Sequence, residues 1–322
     1  PTLPPSLPAQ LAAIVGASHL LSGTDAAPYC TDWRKRYHGA ALCVVRPGTT
    51  EEVAAVVRTC AAAGVTIVPQ GGNTSLVGGA VPDALPEAGP ATRPSVILSL
   101  QRMHAVRRID AANQTITVEA GCILQSLQQA AADAGFLFPL SMGSEGSCTL
   151  GGNLGTNAGG TQVLRYGNTR ELCLGLEVVT AQGDIWSDLQ GLRKDNTGYD
   201  LRNLFIGSEG TLGIITAATM KLYPQPRVQL TAWAAVPSVQ AAVDLLGLAR
   251  QHLHAGLTGF EMMGRFALSL VDKHYPQLRA PLYRDTPWCV LLENSDFEGE
   301  AQARERFETL LVAAMEQGCV TN

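Results

Sequence analysis

The sequence is poor in the features that mark several common functions. Only 16% of its 322 residues are charged and 6% aromatic, and the net charge is −5. No basic excess is available to hold nucleic acid, which needs cations against phosphate. The same sign disfavours strong electrostatic attachment to anionic lipid. The eight cysteines, at 30, 43, 60, 122, 148, 173, 289 and 319, form no Cys-x-x-Cys pair. A zinc ribbon, a thioredoxin motif and a small disulfide scaffold are thereby excluded, and buried thiols are expected. No run nears the roughly 20 apolar residues of a membrane span. Pro1 to Gln10 shows no charged leader before an apolar core, so the expected location is cytoplasmic. No two glycines are separated by a single residue, and no G-x-x-x-x-G-K-[ST] occurs. A nicotinamide Rossmann site and a phosphate-transfer loop both lose their main support.

What is present is a chain long enough for two domains, with 46% apolar residues. A short helix is expected over Pro8–Val15, then a polar segment around Thr31-Asp32-Trp33-Arg34. A βαβ unit follows: a strand at Ala41–Val45, a helix opened by Thr49 and Glu52 in capping-box spacing and closed at Gly64, and a strand at Val65–Val68. After a Pro-rich loop (Pro82–Pro94), strands are expected at Val96–Leu100, Val106–Ile109 and Thr115–Glu119. Ile123–Ala134 reads as a helix ended by Gly135. Leu174–Ala181 and Ile185–Ser187 read as a hairpin turning at Gln182-Gly183-Asp184. Gly213–Leu222 is a strand, with Pro224 and Pro226 marking a boundary. Beyond it, strands at Gln229–Val236, Gly259–Met262 and Val290–Glu293 alternate with helices to His252, over Arg265–Lys273 and over Gly299–Glu316. That texture predicts an α+β domain over a mainly antiparallel sheet.

Glycine is the informative residue. Gly71-Gly72-Asn73-Thr74-Ser75 follows a strand, Gly78-Gly79 comes soon after, and eight glycines fall between Gly143 and Gly167. Ordering such loops is entropically costly, and their physical use is to bring main-chain N–H groups close to a polyanion.

Four motifs in order carry a resemblance: PQGGNTSLVGG (Pro69–Gly79), PLSMGSEGSCTLGGNLGTNAGG (Pro139–Gly160), RYG (Arg165–Gly167) and RKDNTGYDLRNLFIGSEGTLGIIT (Arg193–Thr216). The chain resembles the vanillyl-alcohol-oxidase-type (PCMH-type) FAD proteins. More closely, it resembles the FAD-linked oxidase branch with D-2-hydroxyglutarate dehydrogenases, D-lactate dehydrogenases and the glycolate oxidase FAD subunit. The resemblance implies an α+β fold: an N-terminal helical segment (1–35), a two-subdomain FAD domain (36–226) and an incomplete, ferredoxin-like substrate domain (227–322). It implies that Pro69, Gln70, Gly71, Gly72, Asn73 and Thr74 cradle the FAD pyrophosphate, with Gly78 and Gly79 allowing the next turn. Pro139, Met142, Gly143, Ser147, Gly151, Gly152, Thr156, Asn157 and Gly160 would line the phosphates and the flavin edge. Gly210, Gly213 and Ile214 would lie by the adenine or ribityl part. Relatives with covalent flavin carry a histidine where this chain has Asn73, so non-covalent FAD is expected.

The implied reaction oxidises a D-2-hydroxy acid to the 2-oxo acid and passes the electrons to a quinone, a cytochrome or an electron-transfer flavoprotein. The family's catalytic arginine, His-x-x-x-x-x-x-His segment and Glu-His pair have no counterpart among the six histidines, at 19, 38, 104, 252, 254 and 274. His252 and His254, two apart on a helix, make a poor metal pair, and no metal site is expected. The catalytic residues stay unassigned and a truncated chain is expected. An unfinished sheet would favour an oligomer. The alternative is a non-catalytic FAD subunit or scaffold completed by another chain. Taken singly, Arg193-Lys194-Asp195 reads as an exposed charged turn and Glu209 as a cap or hydrogen-bond partner. Tyr166 and Tyr199 read as packing residues, and Phe260–Met263 as a core strand with one polar residue.

Overall fold

The structure is a computed structural model and describes residues 6–82, 94–278 and 280–322. The expected Pro-rich loop lies, apart from its ends, outside the described residues. The chain divides into two compact units. The first holds the described part of 1–138 with Gly143–Ala158 and Thr169–Tyr223; the second holds Pro139–Met142, Gly159–Asn168 and Pro224–Asn322.

In the first unit, α1 (Leu7–Val15) leads to β1 (Leu20–Leu21), β2 (Val44–Val45), α2 (Thr50–Ala62), β3 (Thr66–Gln70) and β4 (Ser95–Ser99). These strands form a sheet in the order β1-β2-β4-β3, parallel except at β1. The strand expected from Ala41 pairs only at Val44–Val45, although the Leu42 N–H still donates to the Ser95 carbonyl. The helix start is as the sequence predicts, with one difference. Thr49 Oγ1 accepts from the Glu52 N–H at 3.2 Å, but the Glu52 carboxylate caps the Gly48 N–H at 2.7 Å rather than that of Thr49. Val53, Val56, Val57 and Cys60 are buried along one stripe, and Gly64 takes a φ of +66° just past the end.

The second sheet combines β5 (Val106–Asp110), β6 (Thr115–Glu119), β8 (Cys173–Thr180), β9 (Ile185–Asp188) and β10 (Gly213–Lys221). Its order is β5-β6-β10-β8-β9 and all pairs are antiparallel. Strand β10 is central and buried through Met220, which is why it reads as an almost continuous apolar run. The β8–β9 hairpin turns at Gly183, with φ +80°. Around these sheets lie α3 (Leu124–Asp133), α4 (Leu150–Gly155), α6 (Thr169–Leu172) and α7 (Arg202–Phe205), with short strands β7 (Phe136–Leu137) and β11 (Tyr223–Pro224).

The second unit runs α5 (Val163–Tyr166), β12 (Val228–Val236), α8 (Val239–Leu253), β13 (Leu257–Gly264), α9 (Arg265–His274), β14 (Trp288–Asp296) and α10 (Glu300–Glu316). Its sheet is antiparallel, in the order β12-β14-β13, with Val236, Leu245, Val290, Leu292 and Leu310 in the core against α8 and α10. After α10 the chain returns along β12: Thr321 N–H donates to Ala235 O at 2.9 Å, and Ala235 N–H to Asn322 O at 2.7 Å. A fourth strand position beside the first is the ferredoxin-like order expected from the sequence.

Candidate cofactor site

The three parallel strands of the first sheet end on the same side, where ligands bind in open α/β sheets. The loop leaving β3 there is Gly71–Ser75. Among the described residues, no protein acceptor meets the N–H groups of Gly71, Gly72, Asn73 and Thr74. All four residues are half-buried. A row of such N–H donors without acceptors is costly unless an anion completes it.

Several glycines of this region are required by the protein itself. A Cβ on Gly72 would sit 2.0 Å from the Ser147 carbonyl oxygen, and one on Gly71 2.3 Å from Thr149 Oγ1. The two glycine-rich loops therefore meet backbone to backbone. Thr149 caps α4, its hydroxyl accepting from the Gly152 N–H at 3.4 Å. A Cβ on Gly151 would meet Ala120 Cβ at 2.7 Å. At Gly143, by contrast, nothing lies within 4 Å. These glycines thus have a packing role inside the protein as well: Gly72 against the Ser147 carbonyl, Gly71 against the Thr149 hydroxyl and Gly151 against Ala120.

The remaining sequence candidates sort by what their side chains touch. Gln70 is buried and donates to the Tyr29 and Ala80 carbonyls at 2.9 and 2.7 Å, which ties the loop down. Asn73, at φ +51°, donates through Nδ2 to Thr31 O at 2.8 Å. Gly78, at φ +77°, lies against the Tyr37 ring. Thr156 Oγ1 donates to Gly152 O at 2.9 Å, and Asn157 Oδ1 accepts from the Arg170 N–H at 3.1 Å. Pro69, Gly210, Gly213 and Ile214 line one cavity of about 210 Å³ with Val57, Ile67 and Val179. Pro139, Met142 and Gly160 belong to the second unit, where a Cβ on Gly160 would strike the Ser141 carbonyl at 1.9 Å.

Sequence reasoning missed the part played by Asp32. Its buried carboxylate accepts from the N–H groups of Arg34, Arg36 and Tyr37 at 3.0, 2.7 and 2.6 Å. Burial alone would raise this carboxyl; the N–H donors of Tyr37, Arg34 and Arg36 and the Arg36 charge together outweigh it and hold it below its ordinary 3.8. The signal was an Asp at the first position of a turn, whose carbonyl accepts from the Lys35 N–H at 2.9 Å. Tyr199 is the clearest reversal: expected to pack, it is 94% exposed. Glu209 takes φ +53° and donates its N–H to Gly155 O at 2.9 Å, joining the loop before β10 to α4.

Four N–H donors without an acceptor among the described residues, on a glycine loop that follows the Pro69 side of an open cavity, fit a pyrophosphate. Residues 41–188 match the FAD binding domain model, and residues 225–322 match the model of the FAD linked oxidases' C-terminal domain. The chain belongs to the FAD-linked oxidase family. Its cofactor is FAD. Among relatives, it is 38% identical to D-2-hydroxyglutarate dehydrogenase, mitochondrial, of Bos taurus over 295 residues, covering 92% of this chain and 52% of the relative. It is 39% identical to D-2-hydroxyglutarate dehydrogenase of Xanthomonas citri pv. viticola over 300 residues, covering 92% and 60%. The chain thus spans about half the length of the curated relatives it matches. Two solved structures share the fold of this chain. Alkyldihydroxyacetonephosphate synthase superposes with a TM-score of 0.77 at 21% identity, over 100% of this chain and 61% of that one. p-Cresol methylhydroxylase superposes with a TM-score of 0.74 at 18% identity, over 98% and 64%.

Proposed function

We propose that this chain holds the FAD of an enzyme that oxidises a D-2-hydroxy acid to the 2-oxo acid. The observation that carries the reading is the row of unmatched N–H groups from Gly71 to Thr74, in a chain whose similar relatives are named D-2-hydroxyglutarate dehydrogenases. These donors would take the pyrophosphate, each charge-assisted hydrogen bond contributing about 1.5–3 kcal/mol. Asn73, anchored to Thr31, would fix the loop's curvature, and the Pro69–Ile214 cavity would shelter an apolar part of the dinucleotide. When bound, the flavin supplies the acceptor for the hydride leaving the hydroxyl-bearing carbon. The loop Pro69–Gly79 contains neither histidine nor cysteine, which supports non-covalent attachment. A quinone, a cytochrome or an electron-transfer flavoprotein would take the electrons onward.

Anaerobic mixing with D-2-hydroxyglutarate, D-lactate or glycolate tests the substrate class, in an FAD-loaded enzyme that includes the family's arginine, His-x-x-x-x-x-x-His segment and Glu-His pair. These have no counterpart in this chain, which alone is expected to show negligible turnover. Bleaching by a D-2-hydroxy acid and not by its L-enantiomer is expected. Bleaching by none of them, from a preparation that retains FAD, would overturn the substrate assignment.

A further inference from the structure

The net charge of −5 averages over the whole chain and conceals one local exception. Trp33-Arg34-Lys35-Arg36 are four consecutive exposed residues, Trp33 at 66%. Among the described residues, none of the three cations has an ion-pair partner within salt-bridge distance. The acid in this segment, Asp32, is turned inward, its oxygens occupied by the N–H groups of Arg34, Arg36 and Tyr37. That carboxylate shapes the loop, with Lys35 at φ +57°, while the basic side chains face solvent. The loop is also fastened to the neighbouring Asn73–Gly78 segment at two points: Asn73 Nδ2 on Thr31 O, and the Tyr37 ring on Gly78. The second segment adds two exposed apolar side chains, Leu76 at 46% and Val77 at 71%.

We propose that these two fastened loops form a docking surface for an anionic lipid bilayer. Three cations attract the phosphates of the headgroups, each contributing electrostatically near a negatively charged surface. Trp33 is the side chain that settles at headgroup level, and Leu76 and Val77 enter the acyl boundary. An acidic protein surface is the rival occupant, and salt-sensitive binding to vesicles that contain no protein separates the two. Docking here is peripheral, since no described helix is long and apolar enough to cross a membrane.

The test is co-sedimentation of the whole FAD-loaded chain with phosphatidylcholine vesicles, with and without phosphatidylglycerol. Binding only to the phosphatidylglycerol vesicles, weakened by added salt, is expected. The Arg34→Glu/Lys35→Glu/Arg36→Glu variant should bind at least about tenfold more weakly, and Trp33→Ser/Val77→Ser should also lose binding. Both variants change exposed side chains, and their melting temperature and flavin content are read in parallel. No binding to anionic vesicles, or equal binding by the charge-reversed variant, overturns the proposal. A charge-reversed variant that loses FAD while its vesicle binding is unchanged assigns the cations to the cofactor and also overturns it.

Discussion

Gly72 and Ser147 meet so closely that a Cβ on the glycine would lie 2.0 Å from the serine's carbonyl oxygen. A main-chain carbonyl cannot rotate away as a side chain can. Gly72→Ala is therefore expected to separate the two loops, costing about 1–3 kcal/mol of stability and most of the flavin retention. Gly71→Ala meets only the rotatable Thr149 hydroxyl and should cost less. Melting temperature and bound flavin per protein, measured for both, check the ranking. Equal effects would show that the contact does not shape the cradle.

Glu177 is a half-buried network centre between α2 and the second sheet. Its carboxylate accepts from Thr50 Oγ1 at 2.6 Å and Thr216 Oγ1 at 3.0 Å, and pairs with Arg107 at 3.1 Å. Glu177→Ala removes the acceptor of the Thr50 hydroxyl, while Thr216 keeps the main-chain carbonyl of residue 177 at 3.2 Å and Arg107 keeps Glu119 at 3.3 Å. The expected loss is about 1–3 kcal/mol. In urea unfolding the midpoint should fall with the slope unchanged. An unchanged midpoint would mean that water replaces the carboxylate without cost.

Asp32 gives a pH prediction with a definite sign. Its folded-state carboxyl lies below the ordinary 3.8, so its contribution is present above that value and is lost as pH falls through the folded value. Melting curves of the native chain and Asp32→Asn should differ by a constant amount from pH 7 to about 5, then converge below about pH 4. A gap that widens on acidification would contradict the assigned shift.

The thiols should be inert. All eight cysteines are free and buried. Burial pushes Cys43, Cys60 and Cys122 up to about 11 and Cys173 up to about 12. Since the thiolate is the reactive form, a thiol reagent at mildly alkaline pH should label the folded protein negligibly and all eight positions after unfolding. Rapid labelling of the native chain would contradict this burial.

Local features of the fold were legible because local sequence decides them. Thr49 and Ser238 cap helices, Gly64 and Gly183 turn the chain, and β6 runs over Thr115–Glu119 as its alternation predicts. The β8–β9 hairpin was legible, but the insertion of β10 between β6 and β8 was not, because those two pairings join strands distant in the chain and no residue type encodes a partner. At the site, motif order pointed to these loops but not to what holds them. The Gly72–Ser147 approach and the Asn73–Thr31 bond are tertiary contacts, and Gln70 turned out to spend its amide on two carbonyls. Tyr199 failed as a packing residue because an aromatic ring in a polar, glycine-containing turn need not find a core.

The most direct test of the account is an absorption spectrum of the chain after incubation with FAD and gel filtration, taken before and after acid precipitation. The account predicts a protein-bound flavin spectrum close to one equivalent, moving wholly to the supernatant on precipitation and absent from Gly72→Ala. A native chain that stays colourless, or a flavin that precipitates with the protein, would contradict the non-covalent cradle at Gly71–Thr74.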